Sequence, residues 1–161
     1  MFARMVSTSQ PMAASAVTLR RAVESDLPAV LALIAELSPA DPPMPLERAR
    51  EIFARMQGTP RMAVWVVERD RVTIGTYTMH VMENLGHSGA PAGIVESVVV
   101  ARELRGQGIG ALMMRHAAQR AAEAGCYKIA LSSNRKRPDA HRFYRRLGFR
   151  DHGVSFAIDT P

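Results

Sequence analysis

Apolar positions along the chain switch between a period of about two and one of about 3.6 residues, and each switch marks an element. From Val17, VTLRRA alternates as a short strand. Leu27, Val30, Leu31, Ile34 and Leu37 then fall on one helical face, with Ser25 or Asp26 as cap and Pro28 in the first turn. The proline-rich SPADPPMP breaks the pattern before a second amphipathic helix over Leu46–Met56. MAVWVVERD and VTIGTYTMHVM read as an antiparallel pair turning near Asp70 and Arg71, LGHSGAPAG as a loop, and IVESVVV (Ile94–Val100) as a short, largely buried strand. After a glycine-rich turn, Ile109, Leu112, Met113, Ala117 and Ala121 mark a helix that stops at Gly125. YKIALSS is another strand, and PDAHRFYRRLG is a helix with Ala140, Phe143, Tyr144 and Leu147 on one face. FRDHGVSFAI closes the chain as one or two strands.

This order predicts one α/β domain of mixed α+β type over residues 17–161, antiparallel at first and then strand–helix–strand with the strands parallel. Residues 1–16 are small and polar without periodicity and are set aside as a disordered extension. They lack the apolar stretch of a secretory signal; an organellar transit peptide and a start upstream of the natural one both fit their composition.

Apolar residues at 47% and charged residues at 22% are ordinary for a globular chain. No stretch approaches the roughly 20 apolar residues of a membrane span, so no membrane partner is expected. The formal charge of +6 resides mostly in residues 81–161, which hold twelve Lys/Arg against seven Asp/Glu. That field favours a polyanion. Few aromatics and no long basic run argue against nucleic acid and leave an acidic surface or a polyanionic small molecule. Cys126 is the single cysteine, which excludes an intramolecular disulfide and a cysteine metal cluster and suits a cytoplasmic protein. It reads as a small buried hydrophobe, and no metal site is expected.

The stretch ARELRGQGIG (Ala101–Gly110) raises the sharpest chemical question. A strand, a glycine turn and a helix start expose unpaired N–H groups that attract an anion; a plain tight turn is the structural alternative. A triphosphate loop requires Lys-Ser/Thr after its last glycine, whereas Ala111 and Leu112 follow Gly110. A dinucleotide fingerprint requires the glycines directly after the strand and an acid about 20 residues on, and neither condition is met. A pyrophosphate cradle preceded by Arg102 and Arg105 remains.

Arg105-Gly106-Gln107-Gly108-Ile109-Gly110 resembles the R/Q-x-x-G-x-G/A acyl-CoA signature of the GNAT superfamily of N-acetyltransferases. IVESVVV stands where that family has its fourth strand, and GCYKIALSSN and DAHRFYRRLGF are similar to its fifth strand and following helix. Within the superfamily the C-terminal half resembles small-amine acetyltransferases of the aminoalkylphosphonate or glucosamine-phosphate type. The resemblance implies a three-layer domain whose central mixed sheet has six or seven strands with helices on both faces. It implies acetyl-CoA as co-substrate, its pantetheine arm in a cleft where the fourth and fifth strands splay. Val98, Val99 and Val100 would supply main-chain groups to that arm. Residues 105–110 (Arg105, Gly106, Gln107, Gly108, Ile109, Gly110) would hold the pyrophosphate, and Asn134 would touch the cofactor. Tyr144 matches the family's tyrosine that protonates the departing thiolate; packing beside Phe143 and Leu147 is its structural alternative.

Glu96 stands out on the residues themselves. Ile94, Glu96, Val98 and Val100 alternate onto one face of an otherwise buried strand, where a carboxylate is costly unless paired or functional. It is the candidate acceptor of the proton that a substrate amine must lose, with an ion pair to a nearby arginine as alternative. His80 and His87 border the acceptor pocket and are further candidate bases or solvated loop residues, while Arg135, Lys136 and Arg137 suit a phosphate or plain solvent. The expected reaction is direct acetyl transfer to the primary amine of a small molecule in a ternary complex. Transfer to a protein N-terminus or lysine, and a non-catalytic acyl-CoA-binding module, stay open, as does a homodimer.

Overall fold

The computed structural model describes residues 16–160, so the extension expected at the N-terminus lies, up to Ser15, outside the described residues. In chain order the elements are β1 (Val17–Arg21), α1 (Leu27–Leu37), α2 (Leu46–Gly58), β2 (Met62–Arg69), β3 (Val72–Met82), β4 (Ala92–Val100), α3 (Ile109–Glu123), β5 (Lys128–Leu131) and α4 (Pro138–Arg146). The strands form one sheet in the order β1-β2-β3-β4-β5, antiparallel through β4 and parallel between β4 and β5. A parallel pair needs a crossover, which α3 provides.

Helices cover both faces. Trp65, Val67, Tyr77, Met79 and Val95 meet Ile109, Met113, Met114 and Ala117 of α3, with Phe143, Tyr144 and Leu147 of α4 packed alongside. On the opposite face Val66 packs with Ala22, Leu27, Ala49 and Phe53 under α1 and α2, and Val99 packs with Leu33. Trp65, Val66 and Val67 are thus buried on alternate sides, which is why β2 reads as continuous apolar sequence. No described helix is long and apolar enough to cross a membrane.

Asp26 stands at the N-cap of α1, but its carboxylate reaches back to the Val23 N–H at 2.8 Å and receives both terminal nitrogens of Arg20 at 2.7 and 2.9 Å. Arg20 also donates to Glu68 on β2 at 2.7 Å. The Arg20 guanidinium holds the Asp26 carboxyl below the usual carboxylate range, against the opposing effect of burial. Because that pKa is depressed on folding, the stabilisation is complete above about pH 4 and is lost as the pH falls through the folded value. Asp26→Asn is expected to cost about 1–3 kcal/mol at pH 7, since the half-exposed Arg20 softens the loss. Urea melts across pH check it: the gap between variant and wild type should close towards pH 3.

A polar pair lies within the α3-side core. The fully buried Tyr77 places its hydroxyl 2.6 Å from Nδ1 of His116, whose ring meets Trp65 edge-on at 4.5 Å. Burial lowers the His116 pKa and raises that of Tyr77, so the two remain a neutral, mutually satisfied pair.

Two expectations are corrected. The sheet has five strands, because residues 149–158, read as one or two closing strands, join no ladder. Alternation gives that segment one apolar face, but a strand exists only through a hydrogen-bonded neighbour. Nor do Ile94, Glu96, Val98 and Val100 share a face. Thr76 pairs with Val99 and Thr78 with Glu96, so Tyr77 alone opposes both Ser97 and Val98, and Ser97 takes φ +54°. This β-bulge reverses the alternation. Val95 packs towards α3 and Val99, four residues on, towards α1; Glu96 therefore faces away from Val98 and Val100, and it is exposed.

Candidate active site

The bulge sits where β4 loses its neighbour. Ala92–Val95 pair with Lys128–Leu131, and the ladder stops there, so the main chain of Glu96–Val100 borders a cleft on the β5 side. Val98 and Val100 turn half-buried side chains towards the α3–α4 layer while Val99 is buried under α1. The opening of this cleft thus needs no gap in the core: the side chains stay packed and the backbone supplies the polar edge.

At the end of β4 the chain passes through a 3-10 turn, Arg102–Leu104, into the glycines. Gly106 and Gly108 have φ +81° and +82°, and a Cβ on either would meet nothing within 4 Å. Backbone conformation, not crowding, selects glycine at both, and the space above them is open. The first hydrogen bond of α3 runs from Leu112 N–H to Gly108 O at 3.0 Å, so the amides of Ile109, Gly110 and Ala111 point out of the helix start. Gly110 has a different task. A Cβ there would lie 3.0 Å from Cζ of Phe143, so its absence lets α4 close onto α3. Gly110→Val is expected to part the two helices, destabilise the fold by about 1–3 kcal/mol and weaken coenzyme A binding, as read by thermal melts with and without ligand.

Arg105 serves the scaffold. Its amide closes the 3-10 turn onto Arg102 O, and its guanidinium donates to Val100 O and to Glu36, each at 3.0 Å. Glu36, on the last turn of α1, also accepts the Arg102 N–H at 3.0 Å and so pins the loop to the helix. Gln107 receives Arg69 from the β2–β3 hairpin at 3.3 Å.

Across the cleft, Tyr144 packs between Phe143 and Phe149 with ring centroids 5.1 and 5.5 Å away. Burial raises its pKa first of all; Arg137 opposes this and the charge of Glu96 adds to it. Beyond β5, the Ser133 Oγ is buried without a hydrogen-bond partner among the described residues. It continues the face of Ile129 and Leu131 and was missed in the sequence. Asn134 bends the next turn, its Oδ1 accepting the Lys136 N–H at 2.9 Å and its carbonyl facing His141 Nε2 at 3.0 Å. Arg135, Lys136 and Arg137 are exposed beside it.

Glu96 lies on the other face of the sheet, with Thr78, His80, Ile94 and Ala130 as an uncovered floor. His80 pairs with Ile94 and Thr78 with Glu96, which sets His80 diagonal to Glu96 and within reach of a shared water. Val64 extends this floor to a cavity of about 220 Å³ between α2 and β2, lined by Arg21, Phe53, Met56 and Gln57. His87 is instead stacked on Tyr127 at 3.9 Å, in an exposed loop.

A thioester donor with a diphosphate fits the chemistry of these residues: open amides at a helix start, an unpaired strand edge and an orphan hydroxyl. The comparisons with known proteins agree. Residues 29–149 match the acetyltransferase (GNAT) family, and the chain belongs to that family. It is 33% identical to an aminoalkylphosphonate N-acetyltransferase of Salmonella typhimurium, over 86% of this chain and 88% of that one. It is 29% identical to a glucosamine 6-phosphate N-acetyltransferase of Trypanosoma brucei brucei, over 88% and 94% of the two chains. A solved Agrobacterium tumefaciens structure that carries an acetyltransferase assignment superposes with TM-score 0.84 at 34% identity, covering 89% of this chain and 99% of that one. The protein is an N-acetyltransferase with acetyl-CoA as acetyl donor.

Proposed function

We propose that the enzyme transfers acetyl directly from acetyl-CoA to the primary amine of a small molecule, both bound at once on opposite sides of the splayed β4. The observation that carries this reading is the bulge at Ser97. It gives one strand two functions, a main-chain edge towards the donor and a carboxylate towards the acceptor, within a few residues. Acetyl-CoA supplies the activated thioester. Main-chain N–H groups of Val98–Val100 orient and polarise its carbonyl, and the amides of Gly106–Ala111 hold the diphosphate. Glu96, directly or through a water shared with His80, takes the ammonium proton. The nitrogen attacks, the C–N bond forms as the C–S bond breaks, the Tyr144 hydroxyl protonates the departing sulfur, and the second proton of the nitrogen passes through solvent to restore the Tyr144 hydroxyl. Burial raises the Cys126 thiol pKa, which disfavours an acetyl-cysteine intermediate. The two named relatives act on amines that carry a phosphonate or a phosphate, and the +6 charge of this chain is compatible with such acceptors.

Thiol release from acetyl-CoA over aminoalkylphosphonates, amino-sugar phosphates, aminoglycosides, polyamines and amino acids tests the proposal. Amine-dependent release with intersecting double-reciprocal plots is expected. Parallel plots would replace direct transfer by a covalent route. Thermal stabilisation by coenzyme A without release for any amine would leave a binding module.

A further inference from the structure

A second cavity lies at the far end of α3 from the glycine turn. Ala63 and Trp65 of β2, with Met79 and Val81 of β3, alternate onto the face of the sheet that α3 covers, and they floor a space of about 280 Å³. That volume is at the lower end for small-molecule sites. Trp65, Met79 and Val81 are buried, so the floor is apolar, whereas the rim carries the guanidinium groups of Arg21, Arg61 and Arg120.

Two of these arginines have acids of their own. Arg61 takes φ +59°, a left-handed conformation that residues other than glycine rarely adopt. From there its guanidinium crosses to the end of α3, where it donates to Ala124 O at 2.9 Å, and it pairs with Glu83 just past β3. Arg120 pairs with Glu123, three residues on along α3. Arg21 differs. It ends β1 opposite Trp65, and its guanidinium carbon lies 5.7 Å from the centre of that ring, without an acidic partner among the described residues. Arg21 also borders the α2-side cavity, but its pairing with Trp65 puts the side chain on the α3 face. A guanidinium fork beside an aromatic floor matches a flat apolar body that ends in a carboxylate, which the fork can hold through two parallel hydrogen bonds. One unpaired positive charge calls for one negative charge on the ligand.

We infer that this cavity is a binding site for a compact aromatic carboxylate, separate from the sites of donor and acceptor. The glycine turn and Glu123 stand at opposite ends of α3, roughly 20 Å apart along the helix. Glu96 and the acceptor floor are on the other face of the sheet. Neither site overlaps the cavity, so its occupant is a third molecule.

Trp65 is the single tryptophan of the chain, and its fluorescence therefore reports on the cavity floor directly. Titration of the full chain with phenylacetate is expected to give a saturable change in that fluorescence, complete by about 10 mM for a ligand of this size. Phenylacetamide, the same body without the charge, and phenylacetate with the Arg21→Gln variant are each expected to bind at least about tenfold more weakly. Ala63→Leu, which fills the floor and leaves every arginine in place, is expected to abolish the response. Melting temperatures within about 2 °C of wild type show that both variants are folded. Should one melt lower, the other variant and the comparison with phenylacetamide on the wild type decide. Phenylacetate affinity is expected to be the same in saturating coenzyme A. A wild type that does not respond, an equal response to phenylacetamide, or unchanged affinity in a folded variant overturns the site. So does competition between phenylacetate and coenzyme A, which would put the probe in the donor cleft.

Discussion

In the Glu96→Gln variant, kcat/KM for a primary amine is expected to fall about 10²–10³-fold at pH 7, with the deficit shrinking as the pH rises towards the pKa of the amine. An amine with a pKa near ~10 is almost wholly protonated at neutral pH, and freeing it costs on the order of 4 kcal/mol, or about a thousandfold. A positioned base typically contributes 10²–10⁴, so removing the carboxylate exposes most of that cost. Water and His80, diagonal on the same floor, keep the loss below its ceiling. Glutamine preserves size and hydrogen bonding on an exposed strand position, so stability should not change. The diagnostic is the pH profile: near pH 10 the amine deprotonates itself and the variant should approach wild type. A deficit constant from pH 7 to 10 would mean that Glu96 only orients the acceptor, and an unchanged rate would remove it from the mechanism.

On the proposed function the same bulge lets donor and acceptor meet without competing for space. In the proposed reaction donor contacts would use the edge of β4 and the acceptor its face, so the two sites would be separated by the thickness of a strand. Loop position then matters as much as loop chemistry. Glu36 and Arg105 fix the glycine turn to α1 and to Val100 O, and Arg69 holds Gln107, so the amides are arranged before any ligand arrives. Preorganised donors of this kind do not have to reorient during the reaction.

What could be read in the sequence was local. The glycine turn was legible because Gly106 and Gly108 mark left-handed conformations within three residues, and α3 because its apolar face repeats through Ala121. The bulge was not. IVESVVV carries no glycine or proline, and the residue at positive φ is a serine; the two-against-one pairing opposite Tyr77 is defined only once β3 lies beside β4. Glu96 was therefore singled out for an apparent burial that the structure corrects, although it remains a carboxylate at the point where β4 loses its neighbour. Two missed residues left faint traces. Glu36 is an acid at the C-terminal turn of a helix, where the macrodipole disfavours it, which signals a tertiary partner. Ser133 continues the alternation of Ile129 and Leu131 past the end of β5 into the cleft. The closing segment was legible as a strand but not as one lacking a neighbour, because pairing is a property of the whole sheet.

The Tyr144→Phe variant is expected to lose about 30-fold in kcat at pH 7 and to recover as the pH passes the pKa of the thiol. Protonating a leaving thiolate of pKa near ~8.5 is worth only about 2 kcal/mol at pH 7, half the sum at stake for the amine, so the variant stays active. Burial raises the Tyr144 pKa, and a raised phenol stays protonated through the neutral and mildly alkaline range; the wild type thus keeps its acid wherever the amine reacts. Phenylalanine retains the edge contacts with Phe143 and Phe149, so the melting temperature should shift by no more than about 2 °C, which separates packing from proton transfer. Acetyl thioesters of more acidic thiols give a second handle, for their better leaving groups should narrow the gap between variant and wild type. An equal rate for Tyr144→Phe with every thioester and at every pH would reduce Tyr144 to a packing residue. Thiolate departure would then depend on the main-chain edge of β4 and on solvent alone.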